Sequence, residues 1–68
     1  MSPADFAYGR GELGLTQAQL AEALDVNRAT IIRWESGAKP IPKTAEFALN
    51  WLLTRHIFQR KAEQVSAG

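Results

Sequence analysis

The 68 residues suffice for one small domain, since a chain of this length buries only about 60% of the surface that it exposes when unfolded. The chain has no cysteine and one histidine, which excludes disulfides and argues against a metal site. The formal net charge is only +1, but residues 1–25 carry −3, residues 26–45 carry +3 and the remainder carries +1. Cations concentrated in the middle segment can neutralise phosphates even in a nearly neutral protein.

The first predicted element is a helix over residues 3–13. Ser2 suits the N-cap, and Gly14 suits the left-handed stop after the last turn. Gly9 and Gly11 weaken the helix, because each costs about 1 kcal/mol relative to alanine in a helix interior. The prediction of this helix therefore rests on its caps.

A second helix is predicted over residues 17–24. Thr16, with Gln19 three residues later, has the spacing of a capping box, and Leu15 can pack on Leu20 as a hydrophobic staple. These local signals fix where the helix begins.

A third helix is predicted over residues 28–36, after Asn27 as N-cap and before Gly37 as terminator. Two prolines interrupt the following segment, and Pro42 can start a fourth helix at about 42–62. No stretch alternates as a strand would. The predicted fold class is therefore all-α, with four to five helices in a single domain over residues 1–68.

At about 100° per residue, the third helix has two faces. Thr30, Ile31 and Trp34 lie on the face that belongs in the core. The other face combines two guanidinium groups with short and apolar neighbours, which suits a helix in the DNA major groove: arginine donates to guanine, and apolar groups meet the thymine methyl. The alternative is that the arginines merely solvate a surface helix, but an exposed isoleucine between them fits that interpretation poorly. The residues expected to contact bases are Arg28, Ala29, Ile32 and Arg33.

Three motifs in this region are Leu15-Thr16-Gln17, Leu20-Ala21 and Trp34-Glu35-Ser36-Gly37. In this order they closely resemble the phage-repressor helix-turn-helix family, the Cro-like and lambda-repressor-like domains, over about residues 6–54. The resemblance implies that the glutamine at position 17 bonds a phosphate and that the early and middle positions of the third helix read bases. Asp25 departs from the family's usual glycine, at a turn position that often has positive φ, which aspartate tolerates at some cost. The polar residues expected to contact phosphates are Gln17, Asn27, Thr30, Ser36, Lys39 and Lys43.

Arg10 is predicted to form a structural ion pair with Glu35. Arg10 shares the helical face of Phe6 and Leu13, and an unpaired charge in a core costs several kcal/mol. Glu35 is the only acid in the basic segment, and the resembled family commonly has such a pair. The alternative is two independently solvated charges.

The fourth helix has two apolar faces. Ala45, Leu49 and His56 lie on the side that suits the core, where His56 is more readily a packed side chain than a ligand. Aromatic residues line the opposite side, and soluble monomers generally avoid such an exposed patch. We therefore expect a homodimer interface, with an alternative in which the helix breaks near Thr54 and its last part folds back as a fifth helix. The residues assigned to the interface are Phe47, Trp51, Leu53, Ile57 and Phe58.

The sequence thus predicts a regulator that binds double-stranded DNA, most simply a repressor occupying a palindromic operator as a homodimer and excluding polymerase. The small number of cations in one subunit also favours a dimer. The alternative is an antitoxin or adaptor whose aromatic helix binds another protein, with DNA binding secondary.

No enzymatic activity is expected, because the sequence shows no nucleophile-base-acid set. The glycines at positions 9, 11 and 14 match a dinucleotide-binding pattern only superficially, since no strand precedes them. We also expect no metal, cofactor, small-molecule ligand or membrane partner. Charged residues near the N-terminus and the lack of a long apolar run predict a cytoplasmic, nucleoid-associated protein of a prokaryote or phage.

Overall fold

The structure is a computed structural model that describes the backbone of residues 1–67 and the side chains of residues 1–59. This part of the chain forms four α-helices and no strand, which confirms the all-α prediction. The helices are α1 (Pro3–Glu12), α2 (Gln17–Leu24), α3 (Arg28–Ser36) and α4 (Lys43–Ala67). The bounds of α2 and α3 agree with the prediction, whereas α1 ends one residue earlier and α4 continues beyond residue 62.

Side-chain caps define the start of the first two helices. The hydroxyl of Ser2 accepts a hydrogen bond from the backbone N–H of Asp5 at 3.1 Å. At α2 the predicted capping box is present: the Thr16 hydroxyl accepts from the backbone N–H of Gln19 at 3.1 Å, and the Gln19 side chain accepts from the backbone N–H of Thr16 at 2.9 Å. Because these bonds satisfy N–H groups that have no partner within the helix, they fix the first turn of α2.

Asp25 ends α2 in the left-handed conformation, with φ 58° and ψ 46°, as the family resemblance implied. It is the only non-glycine residue with positive φ among the described residues. Its backbone N–H donates to the carbonyl oxygens of Ala21 and Glu22, so the turn to α3 forms despite the unfavourable dihedral angle.

Asp25→Gly is expected to raise the free energy of unfolding by about 0.5–1 kcal/mol, because glycine adopts positive φ without the clash of a Cβ, while its greater freedom in the unfolded chain offsets part of the gain. Urea denaturation measures this as a higher midpoint at an unchanged slope. Asp25→Asn is the matched control, since it removes the charge but keeps a side chain that tolerates positive φ. An equal gain in both variants would assign the effect to charge and contradict the conformational explanation.

The core lies where α1, α2 and α3 meet the first half of α4. Phe6, Leu20, Ile31 and Leu49 are completely buried. The ring of Phe6 packs edge-on against Trp34, with the ring centroids 5.7 Å apart. The inner face of α3 is therefore as predicted for Ile31 and Trp34, while Thr30 is half-buried.

Gly9 allows α1 and α4 to approach closely. A Cβ at this position would lie 2.9 Å from Cδ2 of Leu49 and 3.3 Å from Cδ1 of Leu53, which is too near for ordinary packing. The glycine that weakened the predicted helix thus makes room for two leucines of α4. Leu53 consequently packs half-buried against the core and is the least exposed of the residues predicted for the interface.

Helix α4 is continuous through Thr54, so the alternative with a break at this position and a separate fifth helix is wrong. Its 25 residues span about 37 Å at 1.5 Å per residue. The molecule measures 45 × 20 × 17 Å, so α4 spans most of its long dimension. No helix in the described part of the chain is long and apolar enough to cross a membrane.

Candidate nucleic-acid interface

Helix α3 presents an exposed face on the side away from the core. Because Ile31 and Trp34 fix the inner side, the residues predicted to read bases all lie outside. Ile32 is 40% exposed, an unusual position for a large apolar side chain between two arginines. The major groove, about 12 Å wide, admits a helix with its side chains. The exposed residues of this face, hereafter the reading face, are Arg28, Ala29, Ile32, Arg33 and Ser36.

The structure brings Arg10 and Glu35 together in a bidentate ion pair. Nε of Arg10 donates to Oε2 of Glu35 at 2.7 Å, and Nη2 donates to Oε1 at 3.0 Å. Nη1 of Arg10 donates to the carbonyl oxygen of Leu15 at 3.0 Å. The side chain of Glu35 is only 8% exposed. One guanidinium therefore joins α1, the loop after α1 and the inner edge of α3.

The hydrogen bond to Glu35 raises the pKa of Arg10 above its already high ordinary value, partly opposed by the loss of hydration on burial. Arginine is protonated throughout the physiological range in any case. The ion pair consequently acts as a fixed brace for α3.

Gln17 belongs to the same network. Its Nε2 donates to Oε1 of Glu35 at 3.2 Å, and the side chain is half-buried. An amide carries two N–H groups, so this bond leaves a second donor for another acceptor. Sequence reasoning did not predict the bond to Glu35, because the partners lie 18 residues apart and no local spacing signals it.

An open cleft of about 290 Å³ lies at the N-terminus of α2. The first turn of a helix offers N–H groups without intrahelical partners and a positive dipole end, both of which favour an anion. Arg28 is exposed and borders this cleft. The cleft is lined by Arg10, Thr16, Gln17, Ala18 and Arg28.

The other residues predicted to contact phosphates differ in exposure and in whether their polar groups already make hydrogen bonds within the protein. Asn27 occupies the N-cap position of α3, as predicted, but its side chain makes no capping hydrogen bond. The hydroxyl of Ser36 donates to the carbonyl oxygen of Arg33 at 3.2 Å, which uses its only donor within the turn and disfavours a phosphate bond. Lys39 lies in the loop before α4 and Lys43 is the first residue of α4, and both are exposed.

Helix α4 carries an exposed row of aromatic side chains opposite its buried face. The exposed fractions are 65% for Phe47, 63% for Trp51 and 74% for Phe58, with Ile57 beside them at 54%. These four residues are called the aromatic stripe below. Phe47, Trp51, Thr54 and Phe58 follow one another at intervals of four, three and four residues, the repeat with which two helices pack along a seam.

His56 is half-buried and lines a groove with Leu13, Leu15 and Leu52 on the other side of α4. Among the described residues no group of acidic, histidine or cysteine side chains is placed to hold a metal ion.

The helical fold and the exposed face of α3 together define a helix-turn-helix DNA-binding domain. The family model described as helix-turn-helix matches residues 7–48, which is more than half of the chain. The chain therefore belongs to the helix-turn-helix family of the Cro/C1 type and has its lambda-repressor-like helical fold. The protein is a DNA-binding transcription regulator of this type. Comparisons with curated proteins and with solved structures give no significant match.

Proposed function

We propose that the protein is a repressor that binds a palindromic operator as a homodimer, with α3 in the major groove of each half-site. The observation that carries the proposal is the reading face of α3, which is exposed on the side away from the core and braced by Arg10 and Glu35. Arg28, Ala29, Ile32 and Arg33 are the proposed base contacts. The proposed phosphate contacts are Gln17, Asn27, Thr30, Lys39 and Lys43, with Ser36 less favoured because its donor is used within the turn.

The aromatic stripe supports the homodimer. Aromatic side chains bury about 150–250 Å² each when fully covered, so at these exposed fractions the stripe offers roughly 500 Å² per subunit. Two such surfaces reach the total of about 1,000 Å² that a specific interface requires. A second copy is the natural occupant because the stripe has helix-packing spacing and two-fold interfaces use the same surface on both subunits.

Electrostatics also favours two copies on one DNA site. Binding weakens with salt by a slope of about −0.9 per neutralised phosphate, and each subunit places few cations beside the reading face. A dimer doubles these contacts. Its two recognition helices would enter successive major grooves about 34 Å apart, which requires a palindromic site.

Repression follows from occupancy. A bound dimer covers a stretch of promoter DNA and excludes polymerase, without any contact between the regulator and the transcription machinery. The resemblance to phage repressors supports this direction of control, and a cytoplasmic site of action in a prokaryote or phage is part of the same proposal.

Trp51→Glu is expected to dissociate the dimer, because it places two carboxylates in the centre of an apolar interface. Analytical ultracentrifugation at micromolar concentration measures the change from dimer to monomer. On DNA, the variant should bind a palindrome no more tightly than a single half-site, whereas wild type should strongly prefer the palindrome.

Tyr8→Glu is the matched control, since Tyr8 is a 72% exposed aromatic residue on α1 outside the stripe. This variant should remain dimeric. A wild type that sediments as a monomer would contradict the homodimer and favour the alternative in which the stripe binds a different protein, as in an antitoxin or adaptor.

A further inference from the structure

We infer that Ile32 and Arg33 act as a pair that reads a thymine methyl close to a guanine in each operator half-site, an inference that rests on the proposed function. The two residues are adjacent in the chain, so they lie only about 1.5 Å apart along the axis of α3 and about 100° apart around it. Both are exposed.

The centre of the reading face is formed by small residues. Ala29 and Ser36 project between the directions of Ile32 and Arg33, and both are exposed. Small side chains at the centre let the helix backbone approach the floor of the groove. The longer side chains at the two edges then reach base pairs on either side of this centre.

The chemistry of the two side chains selects different base edges. Arg33 can donate two hydrogen bonds to O6 and N7 of guanine. Ile32 has no polar atom, so it would leave a donor or acceptor unpaired on most base edges. Thymine alone among the four bases offers a methyl group in the major groove. Contact with that methyl covers the exposed isoleucine without burying an unpaired polar group.

The spacing limits where the two bases lie. Two side-chain ends that project about 6 Å from the axis of α3 and about 100° apart are separated by roughly 9 Å, which is less than three base-pair steps of about 3.4 Å. A guanine and a thymine should therefore occur within about three base pairs of each other in the half-site.

The test uses DNA analogues that remove single atoms or groups. Duplexes bound by wild type are first selected from a randomised library, and each thymine is then replaced in turn by deoxyuridine, which lacks only the methyl group. One thymine per half-site should be sensitive, with about fourfold weaker binding when it is replaced, the loss that corresponds to one buried methyl group at about 0.8 kcal/mol. Ile32→Ala should bind the thymine and deoxyuridine duplexes equally.

The neighbouring guanine is tested in the same way with 7-deazaguanine, which lacks the N7 acceptor. Replacement should weaken binding by wild type and leave Arg33→Ala unaffected. Wild type that distinguishes selected from random DNA but is insensitive to every deoxyuridine would overturn the inference and leave the proposed function standing. Equal sensitivity in wild type and Ile32→Ala would also overturn it, because the methyl would then act through another residue. If no duplex is preferred over random DNA, both the inference and the proposed function fail.

Discussion

Glu35→Ala is expected to lower the free energy of unfolding by about 3 kcal/mol. The substitution leaves the guanidinium of Arg10 held between helices without its carboxylate partner, and breaking a buried pair from one side costs about 3–5 kcal/mol. The lower end of this range applies because the side chain of Arg10 is still 23% exposed. A single core of this size rarely contributes more than about 3–5 kcal/mol in total, so the variant should keep at most about 2 kcal/mol and be partly unfolded near physiological temperature.

Circular dichroism during urea denaturation measures the loss. Glu22→Ala is the matched control, because it removes an exposed glutamate from the neighbouring helix α2 and should change the stability by less than about 0.5 kcal/mol. The double variant Arg10→Met, Glu35→Leu should recover most of the stability, since it removes both charges and fills the site with apolar atoms. A Glu35→Ala protein as stable as wild type would show that the ion pair is not a brace.

Arg33→Ala is expected to abolish sequence-specific DNA binding while the protein stays folded. Each bidentate contact between arginine and guanine contributes about 1–3 kcal/mol of discrimination, so two half-sites together lose about 4 kcal/mol, or roughly a thousandfold in affinity. Arg33 is exposed, and its side chain lies on the reading face rather than in the core. The melting temperature should therefore be unchanged.

Mobility shift on a selected palindrome, at several salt concentrations, measures the effect. Lys39→Ala serves as the contrasting variant: it should weaken binding to all sequences and reduce the salt slope, as expected for a phosphate contact. In a reporter assay with the palindrome overlapping the promoter, wild type should reduce transcription and Arg33→Ala should not. Specific binding that is unaffected by Arg33→Ala would refute the assigned role of this arginine.

The helix bounds were predictable because their signals are local. The capping box of Thr16 and Gln19, and the left-handed glycine at position 37, act over three or four residues. The predicted C-terminal ends of α1 and α4 were less accurate. Leu13 caps α1 instead of continuing it, and no breaker in the sequence marks where α4 stops.

Features that depend on contacts between distant residues were harder to predict. Leu53 lies near the boundary between the two faces of α4, and its inward position depends on the space left by Gly9 of α1. The bond from Gln17 to Glu35 likewise joins residues from separate helices. The pair of Arg10 and Glu35 was accessible because a charge on a core-facing surface demands a partner and few acids were available.

Mutations on the inward side of α3 are constrained by stability, whereas mutations on its outward side are constrained by DNA recognition. Ile31, Trp34 and Glu35 hold the helix in place, whereas Ala29, Ile32 and Arg33 face away from the core. Substitutions on the outer side leave the packing untouched and should be close to neutral for stability. A lineage could thus acquire a new operator through a few surface changes, without first accumulating compensatory mutations, even though a domain this small has little stability to lose.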